Sequence, residues 1–176
     1  MNNLLRRVAA AVLYLHVAVL AAVAAPRHVP SEIYNPPVNS SNPHNFVRVG
    51  AKTFFLASGQ QIWVTDGTAA GTTMVASGTW SGAAEFKGSL YFVQGSALWR
   101  SDGTPAGTVQ VTALPFTQAS LYSAGSLLYL AGPRQLWVTN GEAGRTLRVR
   151  TFSESFTGTP VGQDGKLFFT TMEGTE

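Results

Sequence analysis

The chain of 176 residues contains no cysteine. Disulfides, thiolate metal sites, cysteine nucleophiles and a lipid-bearing N-terminal cysteine are therefore excluded. Secretion is not, because an oxidising compartment permits disulfides without requiring them. Charge is scarce: Asp, Glu, Lys and Arg make up 12% of the residues against 45% hydrophobic, which excludes a disordered, highly charged tail. Histidine is confined to His16, His28 and His44, so the remainder of the chain can offer neither a histidine base nor a His-ligated metal. The sequence has no Gly-x-Ser-x-Gly elbow and no phosphate loop. A strong basic balance is lacking too. The net charge is +3, and setting aside Arg6 and Arg7 reduces twelve basic residues to ten against nine acidic. Arg145, Arg148 and Arg150 form the nearest thing to a basic cluster, but on a strand Arg148 and Arg150 alternate with Leu147 and Val149 as an ordinary solvated face. No nucleic-acid partner is expected.

What is present begins with a leader. Met1–Arg7 is short and basic, Val8–Ala25 is uncharged and rich in Ala, Val and Leu, and Ala22-Val23-Ala24 supplies small residues for cleavage after Ala24. This predicts a signal helix over residues 1–24, with membrane contact only through that segment if it is uncleaved, and a secreted or cell-surface chain. Residues 25–45 hold Pro30, Pro36, Pro37 and Pro43 among Asn and Ser and read as an extended linker.

Beyond the linker the sequence repeats itself. Ile62-Trp63-Val64-Thr65-Asp66-Gly67-Thr68, Leu98-Trp99-Arg100-Ser101-Asp102-Gly103-Thr104 and Leu136-Trp137-Val138-Thr139-Asn140-Gly141 share one pattern, and the tryptophans are 36 and 38 residues apart. Ala70-Gly71-Thr72 and Ala106-Gly107-Thr108 follow the first two, and a valine closes each copy 12 residues after its tryptophan. An apolar strand signal precedes each tryptophan, and a fourth copy opens at Lys166-Leu167-Phe168-Phe169-Thr170. In the second copy the strands are expected at Ala83–Phe86, Ser89–Gln94, Ala97–Asp102 and Thr108–Ala113, joined by short Gly-containing turns. Four antiparallel strands in fewer than 40 residues is the size of one propeller blade, and such a sheet must stack on its neighbours to bury both faces. The expectation is an all-β, β-propeller-like domain over residues 46–176, with three full blades at about 46–80, 81–115 and 116–153 and a partial fourth at 154–176.

These copies resemble the bacterial repeat written E-L-W-x-x-D-G-T (hyalin-like), found in tandem in large secreted proteins. The likeness covers residues 46–176. Gln61, Ala97 and Gln135 stand where that repeat has Glu, and the third copy has Asn140 for Asp and Glu142 for Thr. The resemblance implies a propeller-like, extracellular, non-enzymatic module.

Each motif residue has a structural role to play. Asp66 and Asp102 can accept backbone N–H bonds within their turns, Gly67, Gly103 and Gly141 can supply positive φ, and Thr68 and Thr104 can add a hydroxyl. Asn140 can replace Asp in that role but not as a catalytic carboxylate or cation ligand. Trp63, Trp99 and Trp137 read as blade-to-blade packing rather than a sugar-stacking ring. Trp80, in the Gly78–Gly82 connection and off the repeat, is the candidate ligand contact, with an inter-blade plug as its other reading. One carboxylate per turn is too few for a tight calcium site, and no metal or cofactor is expected. The functional expectation is a non-catalytic interaction or adhesion scaffold for an extracellular protein or glycan. The alternatives are a glycan-acting propeller enzyme of hydrolase or lyase type, using the non-repeat carboxylates Glu85, Glu154 and Asp164, or an inactive fragment of a longer repeat protein.

Overall fold

The computed structural model describes residues 41–57 and 59–171, within the unit Ser40–Glu176. The expected signal helix and most of the expected linker lie outside these residues. Three four-stranded antiparallel sheets follow one another along the chain, each paired in sequence order. The first contains β1 (His44–Val49), β2 (Lys52–Ala57), β3 (Gln61–Thr65) and β4 (Thr73–Ser77). The second contains β5 (Gly82–Phe86), β6 (Ser89–Gln94), β7 (Ala97–Ser101) and β8 (Val109–Ala113). The third contains β9 (Ser120–Ala124), β10 (Leu127–Gly132), β11 (Gln135–Thr139) and β12 (Thr146–Thr151), and a hairpin of β13 (Phe156–Gln163) and β14 (Lys166–Thr171) follows.

Four boundaries differ from expectation; β5 opens one residue early, at Gly82, and the other three have local reasons. β1 starts at His44, inside the segment read as linker, because the prolines end at Pro43 and every later backbone N–H can join the ladder. In the second sheet Asp102 and Thr108 fall outside the strands, because their side chains are engaged in the turn described below. The Lys87-Gly88 hairpin turn has both residues at positive φ (51° and 73°), the geometry that follows the strands' own twist. Among the described residues no helix is long and apolar enough to cross a membrane.

The sheets pack face to face in chain order. Strand alternation divides β6 into two sets. Leu90 and Phe92 point back to the first sheet, where they meet Phe54, Leu56, Ile62, Val64 and Val75. Tyr91 and Val93 point forward to the third, where they meet Leu121, Leu128 and Leu130. All four are 3% exposed or less, which is why this strand reads as one continuous apolar run rather than as alternation. Leading strands lie side by side, β1 by β5, β5 by β9 and β9 by β13. A side chain at Gly82 or Gly162 would collide with the carbonyl oxygen of Ala119 or Ser123 in the neighbouring segment, so small residues set how closely these strands approach.

Candidate functional site: the repeated tryptophan strand and its turn

The repeat motif spans the end of the third strand of each sheet and the turn after it. Each tryptophan occupies the same face of its sheet, the one that in the second and third sheets meets the preceding sheet, and is paired across the ladder with Phe55, Phe92 or Leu130. At each tryptophan the partner strand carries one extra residue: the pairing skips between Ile62 and Trp63, Leu98 and Trp99, and Leu136 and Trp137. The skipped residue is the closing valine in each case. A bulge turns its residue out of strict alternation, and Val75 and Val111 thereby enter the packing between sheets. Val149 is 54% exposed, and among the described residues a two-stranded hairpin, not a four-stranded sheet, follows its sheet.

The tryptophans are half-buried rather than sealed. Trp99 stacks on Phe92 at 6.4 Å, and Trp137 meets Phe116 edge-on at 6.1 Å. The Trp63 and Trp137 indole N–H groups donate to Gln61 Oε1 and Gln135 Oε1, each at 3.0 Å. Residues two apart on a strand share a face, so a side-chain carbonyl at that position holds the ring in place. Ala97 offers no such acceptor to Trp99.

The turn is a closed circuit of hydrogen bonds. In the first copy the Thr65 hydroxyl accepts from the Gly67 N–H at 3.0 Å and bonds to Thr72 Oγ1 at 2.7 Å. The Thr72 hydroxyl donates to the Thr68 carbonyl at 2.6 Å, so the proton between Thr65 and Thr72 belongs to Thr65. Asp66 Oδ1 accepts from both the backbone N–H (2.9 Å) and the hydroxyl (2.7 Å) of Thr68, whose oxygen accepts from the Gly71 N–H at 2.9 Å. The second copy repeats every bond with Ser101, Asp102, Gly103, Thr104, Gly107 and Thr108. Gly67 and Gly103 take φ of 93° and 92°, where a Cβ is strained. Gly71 and Gly107 are required for a different reason: a Cβ there would run into the Asp66 or Asp102 carboxylate.

The third copy keeps half of this circuit. Gly141 N–H donates to Thr139 Oγ1, Thr146 donates to Thr139, and Asn140 Oδ1 accepts from the Glu142 N–H, each at 3.0 Å. The rest is replaced by a 3-10 turn at Ala143–Arg145, and a Cβ at Gly144 would meet nothing. The hydroxyls of Thr65, Ser101, Thr139, Thr72, Thr108 and Thr146 are the part of the motif that sequence reasoning left without a role. Their sevenfold spacing across the turn was visible, but its meaning depends on strand pairing.

Neighbouring sheets are tied through these same turns. Lys52 Nζ donates to the Asp102 carbonyl at 3.1 Å, Lys87 Nζ to the Asn140 carbonyl at 2.9 Å, and the Tyr91 hydroxyl to the Gly141 carbonyl at 3.3 Å. Asp66 and Asp102 have pKa values held below the ordinary carboxylate range, first by the threonine hydroxyl and then by its backbone N–H. A lowered folded pKa gives stability that is fully present above the ordinary value and lost as pH falls through the folded one. The stability gap between the wild-type chain and the D66N/D102N double variant is thus expected to be flat from about pH 7 to pH 5 and to narrow below about pH 4. Urea midpoints measured across that range test it, and a gap unchanged in strong acid would refute it.

Trp80 is not an exposed contact. It is 8% exposed and packs on Phe92 at 5.9 Å. Nor is it off the repeat: Gly78 and Leu114 donate equivalent bonds to Gln60 O and Ser96 O, which aligns Trp80 with Phe116. Both are plugs in the connections between sheets. Glu85 is engaged in its own hairpin, accepting from the Gly88 N–H at 2.8 Å. A groove of ≈490 Å³, lined by residues including Ser81, Gln118, Ser120 and Ser155, has no acidic side chain in its wall. Among the described residues no group of three or more His, Asp or Glu side chains gathers as a metal site would require.

A chain of a nidogen/laminin complex has a similar structure, with a TM-score of 0.51 at 18% identity over 73% of this chain. The likeness is one of fold. The present chain spans 55% of that chain's length. PorZ, a surface component of the type-IX secretion system of Porphyromonas gingivalis, aligns with a TM-score of 0.48 at 10% identity, over 77% of this chain and 22% of that one. A Myxococcus xanthus glutaminyl cyclase aligns at 0.39 and 14% identity, over 73% and 67%. Neither of these two carries an argument. No protein-family model and no curated protein sequence matches the chain.

Proposed function

We propose that the chain is a non-catalytic extracellular module, secreted or held at a bacterial cell surface, whose sheets act as blades of a propeller-type scaffold presenting surface to a protein or glycan. The single observation carrying this reading is that each motif carboxylate is engaged, through Oδ1, by the threonine of its own turn. The carboxylates of Asp66 and Asp102 close on their own turns, so the repeated element builds a frame rather than a reactive centre. The adjacency of successive leading strands supports the blade arrangement. Kinship with the E-L-W-x-x-D-G-T repeat proteins is part of the same proposal.

An oligosaccharide array together with a panel of chromogenic glycosides and polysaccharides tests the reading. The expected result is saturable retention of some oligosaccharides, or none, without turnover of any substrate. Turnover that is lost on substituting Glu85, Glu154 or Asp164 would overturn it in favour of a glycan-acting enzyme.

A further inference from the structure

Each sheet has a front face, toward the sheet that follows, and a rear face, toward the one before. Front meets rear three times among the described residues, the third time between the third sheet and the β13–β14 hairpin, where the Tyr129 hydroxyl donates to the Gly165 carbonyl. At the rear, Phe55, Phe92 and Leu130 are register equivalents, as are Thr65, Ser101 and Thr139, each beside its tryptophan. Phe92, Leu130, Ser101 and Thr139 are all 1% exposed or less, because a front face covers them. Phe55 and Thr65 are only partly covered. They line the open rear of the first sheet, where Phe46 (61% exposed) lies 5.8 Å from Phe55, and where a groove of ≈180 Å³ runs along Phe55, Gln61, Trp63 and Thr72.

The other end of the stack shows the complementary feature. Phe54, Tyr91, Tyr129 and Phe168 form the equivalent front-face series. Phe54 and Tyr91 are 0% and 3% exposed, whereas Phe168 is 57% exposed and its ladder partner Val161 is 58% exposed. Among the described residues, the rear of the first sheet and the front of the β13–β14 hairpin are thus the faces of this internally repeated interface that no sheet covers. Exposed apolar patches of this kind mark association surfaces.

We propose that a second copy of this chain docks head to tail, its β13–β14 front face against the rear face of the first sheet, repeating between molecules the packing that joins the sheets within one. Such an interface is heterologous, so copies close into rings or extend as chains according to the rotation between them.

Sedimentation velocity of the purified full chain over a concentration series tests this. The wild-type chain is expected to gain mass with concentration. Phe46→Glu removes the rear face and Phe168→Glu the front face. Each alone is expected to weaken association by at least about tenfold, because a carboxylate enters an apolar contact unpaired. Mixed in equal amounts, the two variants are expected to recover a species of two chains, since each retains the face the other lacks. That recovery also shows both variants to be folded. A wild-type chain that stays monomeric throughout would overturn the proposal. Association that survives both substitutions, loss in only one variant, or no recovery on mixing would each do the same.

Discussion

Replacing Phe92 by alanine is expected to destabilise the chain by about 3–5 kcal/mol, the range for deleting a buried aromatic ring. Phe92 is fully buried at the centre of the packing between the first two sheets, with Trp80 at 5.9 Å on one side and Trp99 stacked at 6.4 Å on the other. Its loss removes apolar burial and leaves two large rings without their shared partner. Total stabilities of domains are about 5–15 kcal/mol, so the effect is a large share of the whole. Phe55 supplies the control: it occupies the same register position on a half-covered face, and Phe55→Ala in dilute solution is expected to cost well under half as much. Urea unfolding followed by tryptophan fluorescence measures both. Equal costs would mean that face-to-face packing is not what secures the stack.

The second large effect is expected at Gly82. A Cβ there would be driven into the Ala119 carbonyl oxygen, a backbone atom that can retreat only if β5 and β9 separate. Gly82→Ala is expected to cost about 2–3 kcal/mol, toward the upper end of the overpacking range. Gly144→Ala, where the added carbon would meet nothing and φ is not positive, is expected to fall within about 0.5 kcal/mol of wild type, as surface substitutions do. The two variants differ only in where the methyl group is placed. If Gly82→Ala unfolds like the wild-type chain, the leading strands are not in close contact in solution.

The strand order of each sheet could be read from the sequence because three signals coincide: an apolar pair of strands, a tryptophan at fixed register, and Gly-rich turns. The turn chemistry of Asp66 and Asp102 was equally legible, since an Asp before Gly-Thr has few other uses. Three features were not. The hydroxyl pairs such as Ser101 with Thr108 lie seven residues apart on either side of a loop, and only the antiparallel return of the chain brings them to 2.7 Å. The closing valines kept constant spacing from the tryptophans, yet spacing alone does not distinguish a bulged residue from a paired one. Trp80 seemed isolated because its counterpart is Phe116: an aromatic-to-aromatic replacement hides a repeat position from a search for identical letters. Gln61 and Gln135 looked like mere departures from a glutamate, whereas an indole N–H requires only an oxygen acceptor, which either side chain supplies.

The turn has a consequence of its own. Its inner tier, the paired hydroxyls with the glycine N–H, is present in all three copies, while its outer tier is complete in two and rebuilt as Ala143–Arg145 in the third. The inner tier is the part common to all three copies, so it marks where each hairpin ends, while the outer tier adds stability where it is present. Each of the three sheets thus carries, beyond its inner tier, a short outer segment whose letters and length differ between copies and can be rewritten, by evolution or by a protein engineer, while the paired strands keep their register.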